Sequence, residues 1–340
     1  MNAKVLNTLE ATGFNWLIPI LRLGSGENPK AQIQEIFKTL IVPIIAFVIF
    51  LGLWEFGAGK VQTSLGQVPG PAQVKEQWDN LVKEHVAERE KEAAFYDRQE
   101  KRNAKKLEKN PDAKVKIRPY PGAPTFFDQI ITSLITVFTG FILATLIAVP
   151  IGIICGLNDT MYTALNPLIQ IFKPISPLAW LPIVTMVVSA VYVSNDPTFD
   201  KSFVNSAITV TLCSLWPTLI NTTLGVSSVD KDLINVSKVL RLGWLTKVYK
   251  IIIPSSIPLI FTGLRLSLGV GWMVLIAAEM LAQNPGLGKF VWDEFQNGSS
   301  QSLGRIMVAV LVIGFIGFVL DRIMLTLQKS VSYDKNAVIR

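Results

Sequence analysis

Six stretches of this chain, 39–56, 126–157, 164–193, 203–226, 259–282 and 306–327, are apolar over roughly the length a helix needs to cross hydrocarbon. That length is ~20 residues for ~30 Å. Inside a bilayer the backbone must satisfy its own hydrogen bonds, so such runs are read as helices. Half of the 340 residues are hydrophobic and only 17% are charged, too apolar for an ordinary soluble domain. The expected fold class is an all-α integral membrane protein with about six transmembrane helices and a charged helical insertion outside the membrane.

The remaining sequence divides around these runs. Residues 1–38 form an N-terminal cytoplasmic or interfacial segment, in which the apolar piece 14–21 is too short to span. The first transmembrane helix is 39–57, the extracytoplasmic charged insertion 58–125, the core of five further spans 126–330, and the cytoplasmic tail 331–340. No short apolar core followed by a small-residue cleavage pattern opens the chain, so no removable signal peptide is expected. The formal net charge is +7, but the basic residues flank apolar runs, as loops facing a negative inner membrane surface do, which argues against nucleic acid. Cys155 and Cys213 each lie within an apolar run and imply no disulfide framework.

With both termini in the cytoplasm, six spans put the basic loop 227–258 inside and the insertion outside. The positive-inside bias weakens for loops longer than ~60 residues, so a Lys-rich insertion is tolerated there. Within it, 68–71 signals a turn and 75–109 reads as helix, polar nearly all round, with only Trp78, Leu81, Val82, Phe95 and Leu107 to bury. Two readings stay open, a solvated hairpin or spur and a docking surface for a partner. His85, in the same stretch, is read as solvated.

No catalytic constellation is present, and no metal site is expected. His85 is the only histidine, and no GxxxxGK[ST] phosphate loop exists, so the chain carries no nucleotide cofactor of its own. The informative charges lie inside the membrane. Arg265, Gly269, Trp272, Ile276 and Glu279 stand at i, i+4, i+7, i+11 and i+14, along one helical face. Charge there is costly unless it faces protein or water. One reading makes this a substrate pathway with Met273 beside it: Arg265 attracts an anion near the inner mouth, Trp272 gates, and Glu279 packs or gates at the outer mouth. The other has Arg265 pairing with a helix-end carbonyl and Glu279 capping a neighbouring helix. The 164–193 run breaks at 173–177 and at Pro182, which adds Ser176 and Trp180 as pathway candidates or marks an ordinary kink. Asn221, in the fourth run, is a further candidate. A cluster of Arg is absent, which suggests a pore with little affinity that leaves selection to a partner.

Between the fourth and fifth runs, 235–250 reads as a basic surface helix. Val236, Val239, Leu240, Leu242, Trp244 and Val248 form an apolar ridge framed by Lys231, Lys238, Arg241, Lys247 and Lys250. Such a helix suits anionic headgroups or a groove on a cytoplasmic partner. Pro254 and Pro258 are expected to stop it and set a turn.

This segment resembles the EAA loop of importer-type ABC permeases. Aligned on Pro254, Asn235-Val236-Ser237 take the Glu-Ala-Ala place, Ile251 the Ile place and Ile253 the Leu place; the usual Gly falls on Arg241, with Gly243 two residues later. The sequel strengthens the match: Pro254-Ser255-Ser256-Ile257-Pro258, Gly263-Leu264-Arg265, Trp272, Ala278-Glu279-Met280-Leu281 and Gly286-Leu287-Gly288. Over roughly 124–330 the chain is similar to the branch that serves nitrate, bicarbonate, taurine and alkanesulfonates, and RLGWLTKVYKIIIPSSIP looks most like its nitrate and bicarbonate members.

The resemblance implies a type I ABC importer permease in a bacterial inner membrane, a transport subunit and not an enzyme. It implies a homodimer with a second copy, two cytoplasmic ATPase subunits carrying ATP and Mg, an external binding protein or lipoprotein, and surrounding lipid. Asn235, Ser237, Lys238, Val239, Leu240, Arg241, Leu242, Gly243 and Trp244 would couple to the ATPase, with Pro254 as hinge. Nitrate is the first expectation for substrate, and bicarbonate, nitrite, cyanate or a sulfonate such as taurine the alternatives. A self-sufficient channel or ion-coupled transporter is the rival class, but the chain lacks the internal symmetry of paired broken helices. A membrane enzyme is disfavoured for want of clustered chemistry.

Overall fold

The computed structural model describes residues 17–24, 28–63, 66–110, 115–193, 199–299 and 301–331. The first 16 residues, most of the loop 194–201 and the tail beyond 331 lie outside these. The described helices are α1 (Leu17–Gly24), α2 (Pro29–Ala58), α3 (Pro71–Lys109), α4 (Phe126–Leu157), α5 (Asp159–Phe172), α6 (Pro177–Val191), α7 (Lys201–Ser227), α8 (Lys231–Val239), α9 (Trp244–Ala282), α10 (Leu287–Asn297) and α11 (Ser302–Val331). A two-residue hairpin pairs Gln62–Thr63 with Gly66–Gln67.

Five helices, α2, α4, α7, α9 and α11, are long and apolar enough to cross a membrane; α5 and α6 meet at a 101° bend and make a sixth if they form one broken span. The bend arises at Lys173–Ser176, where Pro174 and Pro177 remove backbone donors, and a new helix starts on the Ser176 hydroxyl, which accepts from Leu178 N–H at 3.3 Å. Helix α2 begins at Pro29, ten residues before the expected start, and a π turn at Phe37–Ile41 carries it into the apolar run. None of its apolar window is buried within the chain, so it faces lipid or a partner.

Helix α7 is the centre of the bundle, packed against α4 on one side and α9 on the other. Small residues set the separation. A Cβ on Gly140 of α4 would stand 2.7 Å from Val210 Cγ1 of α7, and one on Gly152 would stand 2.7 Å from Thr222 Cβ. In a bilayer such backbone approach is the main source of helix attachment. Four of the hydroxyls this buries turn back on their own helix: Thr209, Thr211, Ser214 and Thr223 each donate to the carbonyl four residues earlier at 2.7–2.9 Å.

The insertion is one 39-residue helix and not a hairpin, about 58 Å long at ~1.5 Å per residue. Its first turns are seated on the bundle: Val74, Gln77 and Leu81 are buried, Trp78 meets Phe127 edge-on at 5.6 Å, and Glu84 takes a bidentate pair from Arg305 at 3.0 and 2.7 Å. Its outer half is braced by the returning segment. Gln99 is buried and exchanges two hydrogen bonds with the Arg118 backbone at 2.9 and 3.2 Å, and Tyr120 donates to Glu88 at 2.7 Å. The Tyr120 hydroxyl, with Lys91, holds the Glu88 carboxyl below the usual carboxylate range. His85 is not a solvated residue: its Nδ1 lies 2.7 Å from Thr125 Oγ1 and its ring 5.0 Å from Phe127, because the return brings 125–127 under it.

Pro254 and Pro258 do not stop a surface helix. Helix α9 runs unbroken from Trp244 through both prolines, and the chain turns earlier, at 240–243. A π turn at Val248–Ile252, closed by Ile253 N–H on Val248 O, widens the helix just before Pro254. That wider turn relieves the clash a proline makes with the carbonyl four residues back. At the far end of the bundle, Gln328 of α11 donates to Pro258 O at 3.1 Å. The end of α11 thus lies beside the start of α9, while its beginning, at Arg305, lies against α3. The insertion and the 227–258 loop stand at opposite ends.

Candidate functional site

Helix α9 leaves one apolar face uncovered, and with α11 it walls a cavity of about 730 Å³. Pro258, Thr262, Arg265, Leu266, Gly269 and Met273 of α9 face Asp321 and Gln328 of α11 across it. Met273 is 70% exposed. One charged cluster lies in the wall: Arg265 gives Asp321 a bidentate pair, Nε to Oδ1 at 2.5 Å and Nη2 to Oδ2 at 2.9 Å, and Arg322 Nη2 also reaches Oδ2 at 2.9 Å. The partner of Arg265 is this carboxylate and not a helix-end carbonyl. Asp321 was missed in the sequence because 306–327 was read as a plain span; the signal was the Asp321-Arg322 pair inside an otherwise apolar run.

The stripe from Arg265 to Glu279 divides. Arg265, Gly269 and Met273 line the cavity, whereas Trp272 is buried and donates its indole N–H to Ile313 O at 3.0 Å. Glu279 is fully buried and accepts from Ser133 Oγ at 2.8 Å and from Gly288 N–H at 3.0 Å. Ser133 in turn accepts from Leu287 N–H at 2.8 Å. The pair caps the N-terminus of α10, where free N–H groups and the helix dipole favour a negative charge. The close fit needs glycine: a Cβ on Gly288 would strike the Ile276 carbonyl, and one on Gly286 the Glu279 carboxylate. The stripe splits because it runs along the border between the packed and open faces of α9.

The other pathway candidates do not reach this cavity. Ser176 caps α6. Trp180 stacks on Phe172 at 5.9 Å, which stacks on Trp216 at 6.2 Å, so it fastens the bent pair to α7. Asn221 donates to Pro217 O at 2.8 Å and packs on Gly263.

At the other site, α8 ends in a Schellman motif, with Leu242 N–H on Ser237 O at 3.0 Å and Arg241 N–H on Lys238 O at 3.0 Å. Arg241 is therefore left-handed, φ 47°, in the position that favours glycine. Ser237 is buried and donates to Ile234 O, while Asn235 and Lys238 are exposed. Val239 is 82% exposed and Trp244 60%, and Leu240, Leu245 and Tyr249 are similarly open. Leu242 is half-buried, nothing lies within 4 Å of a Cβ on Gly243, and Pro254 sits within α9. The result is an uncovered apolar ridge among lysines, to which sequence reasoning had not added Leu245 and Tyr249.

Residues 148–333, more than half of the chain, match the family described as binding-protein-dependent transport system inner membrane component. The chain belongs to this family. The matched range holds the cavity, the Arg265–Asp321 pair and the uncovered ridge; α2 and α3 fall before it. Among curated relatives, the chain is 36% identical to a nitrate import permease of Synechocystis sp., covering 60% of this chain and 69% of that protein. It is 38% identical to a bicarbonate transport system permease of the same organism, over 61% and 69%. It is also 34% identical to a putative ABC transporter permease of Methanocaldococcus jannaschii, over 61% and 74%. Its fold is similar to a chain of the inward-facing MetNI methionine ABC transporter, TM-score 0.52 at 12% identity, covering 61% of this chain and 95% of that one. The protein is thus a multi-pass membrane permease of the type I ABC importer fold.

Proposed function

We propose that this permease imports nitrate, as a homodimer with two ATPase subunits that carry ATP and Mg and with an external substrate-binding protein. Both termini lie in the cytoplasm of a bacterial cell, and the insertion lies outside. The observation that carries the reading is the uncovered ridge from Val239 to Tyr249, which continues without a break into the helix that walls the cavity. An uncovered apolar ridge marks a surface that a protein or the membrane covers, and its continuity with the cavity wall favours a protein that drives that wall.

Docking of the ridge in an ATPase cleft gives the machine its lever. Arg265 lies 21 residues along α9 from Trp244, about 32 Å at ~1.5 Å per residue. Helix α9 runs unbroken past Pro254, so closure of the ATPase pair is transmitted along it from the ridge to the cavity wall, with the π turn at Val248–Ile252 and Pro254 as the place where it can flex. Differential contacts in the two ATPase states then shift the cavity between outward and inward access. The weakly charged wall suits transit of a small anion, and selection falls to the binding protein.

Bicarbonate is the second reading, favoured by the 38% identity to a bicarbonate permease. The test is co-purification of the tagged chain from native membranes, with ATP hydrolysis assayed against binding protein loaded with nitrate or with bicarbonate. Stimulation by one alone assigns the substrate. Gly243→Asp places a carboxylate on the ridge where no atom of this chain is crowded, so loss of ATPase association and uptake with normal membrane insertion is expected. Unchanged uptake would sink the coupling assignment, and a chain that purifies alone and conducts anions without ATP would return the channel reading.

A further inference from the structure

We infer that Asp321 is a built-in competitor for the transported anion at Arg265, holding a planar-oxyanion site closed until an anion displaces it; this role rests on the anion-importer reading above. Two coplanar oxygens of the Asp321 carboxylate occupy the guanidinium fork at 2.5 and 2.9 Å. Nitrate and bicarbonate present the same pair of coplanar oxygens on a trigonal centre, and that fork geometry is what Arg recognises and Lys does not. Asp321 therefore fills the place such an anion would take.

Three observations make exchange feasible. Both side chains are partly exposed, at 23% and 35%, and both line the open cavity. The cluster contains two guanidiniums and one carboxylate, Arg265, Arg322 and Asp321, a net charge of one that a monovalent anion would neutralise. And Arg322 already holds Asp321 Oδ2 at 2.9 Å, so Asp321 stays paired when the anion takes Arg265. No carboxylate is left uncompensated in the membrane, which would otherwise forbid the step. A tethered competitor has a high effective concentration, so free anion binds weakly and leaves readily, as a release pathway requires.

The test is thermal denaturation of the full purified chain, with whatever subunits accompany it, titrated with sodium nitrate, bicarbonate or chloride against gluconate at constant ionic strength. Wild type is expected to respond only weakly. Asp321→Asn is expected to gain a nitrate- and bicarbonate-dependent rise in Tm with a half-maximal concentration at least tenfold lower, and Arg265→Gln/Asp321→Asn is expected to lose it. If Asp321→Asn does not accumulate folded, Asp321→Ser serves in its place, since it also frees the Arg265 fork. A gain of nitrate and bicarbonate response over wild type in that variant supports the inference, and a response no stronger than wild type contradicts it. An Asp321→Asn chain as indifferent as wild type overturns it, as does a response that survives in the double variant. A response to chloride equal to that to nitrate overturns the planar-oxyanion recognition. An Asp321→Asn chain that gains the response while the purified complex ignores loaded binding protein would refute the importer reading and with it the transport role, and would support only the exchange of Asp321 for an anion at Arg265.

Discussion

Replacing Glu279 separates its two possible roles, gate or cap. Its carboxylate takes one hydrogen bond from Ser133 Oγ and one from Gly288 N–H, and it is fully buried. A hydrogen bond to a charged group is worth about 1.5–3 kcal/mol, and a buried donor left without a partner costs a similar amount. Glu279→Ala orphans two donors and leaves a void, a loss of about 3–6 kcal/mol. Glu279→Gln keeps the shape and one oxygen but turns an amide NH₂ toward one donor, a loss of about 1–3 kcal/mol. At roughly 1–2 °C per kcal/mol for a 340-residue chain, the alanine variant should melt at least ~3 °C below wild type and the glutamine variant between the two. The assay is thermal denaturation of the solubilised protein, read beside ATP-dependent uptake. Hydrogen exchange should rise first at Leu287 and Gly288, whose amides the cluster holds. An alanine variant that melts with wild type yet fails to transport would refute the cap and restore the gate.

Arg241→Gly relieves a left-handed residue, and allowing for the freer unfolded chain it should raise stability by about 0.5–1 kcal/mol; a lower Tm would refute the strain. Gly152→Leu forces Thr222 aside and should cost about 1–3 kcal/mol by overpacking, visible as a lowered Tm. For the insertion, Glu88 is held below its ordinary value, so its contribution is present above pH 4.5 and lost as pH falls further, while Tyr120 is raised by the same bond, so its contribution is present below pH 10 and lost above. Limited proteolysis within 90–120 should therefore be slowest between these limits, and Tyr120→Phe should speed it there; an unchanged rate would show that the Tyr120–Glu88 bond does not brace the helix.

Much of this architecture was legible because a membrane span is a local property. Apolar length alone placed five spans, and the proline-rich break at 173–177 foretold the bent pair α5–α6. The ridge at Val239–Trp244 was legible for a similar reason: apolar residues interleaved with lysines must lie at a surface, whatever surrounds them. The position usually held by Gly in the EAA loop was found at Arg241, and the structure shows why that position matters, since the Schellman end of α8 makes it left-handed.

Only the tertiary structure decided the rest. Whether Pro254 bends or rides within a helix depends on a π turn that no local preference announces. His85 became a packing residue through a return segment 40 positions away. The stripe on α9 was correctly placed on one face by its spacing, but that face straddles the border between core and cavity. The rotation of α9 against α7 and α11 sent Arg265 to the cavity and Glu279 to the cap of α10. The partner of Arg265 lies 56 residues along the chain, and spacing within a helix carries no information about a charge on its neighbour.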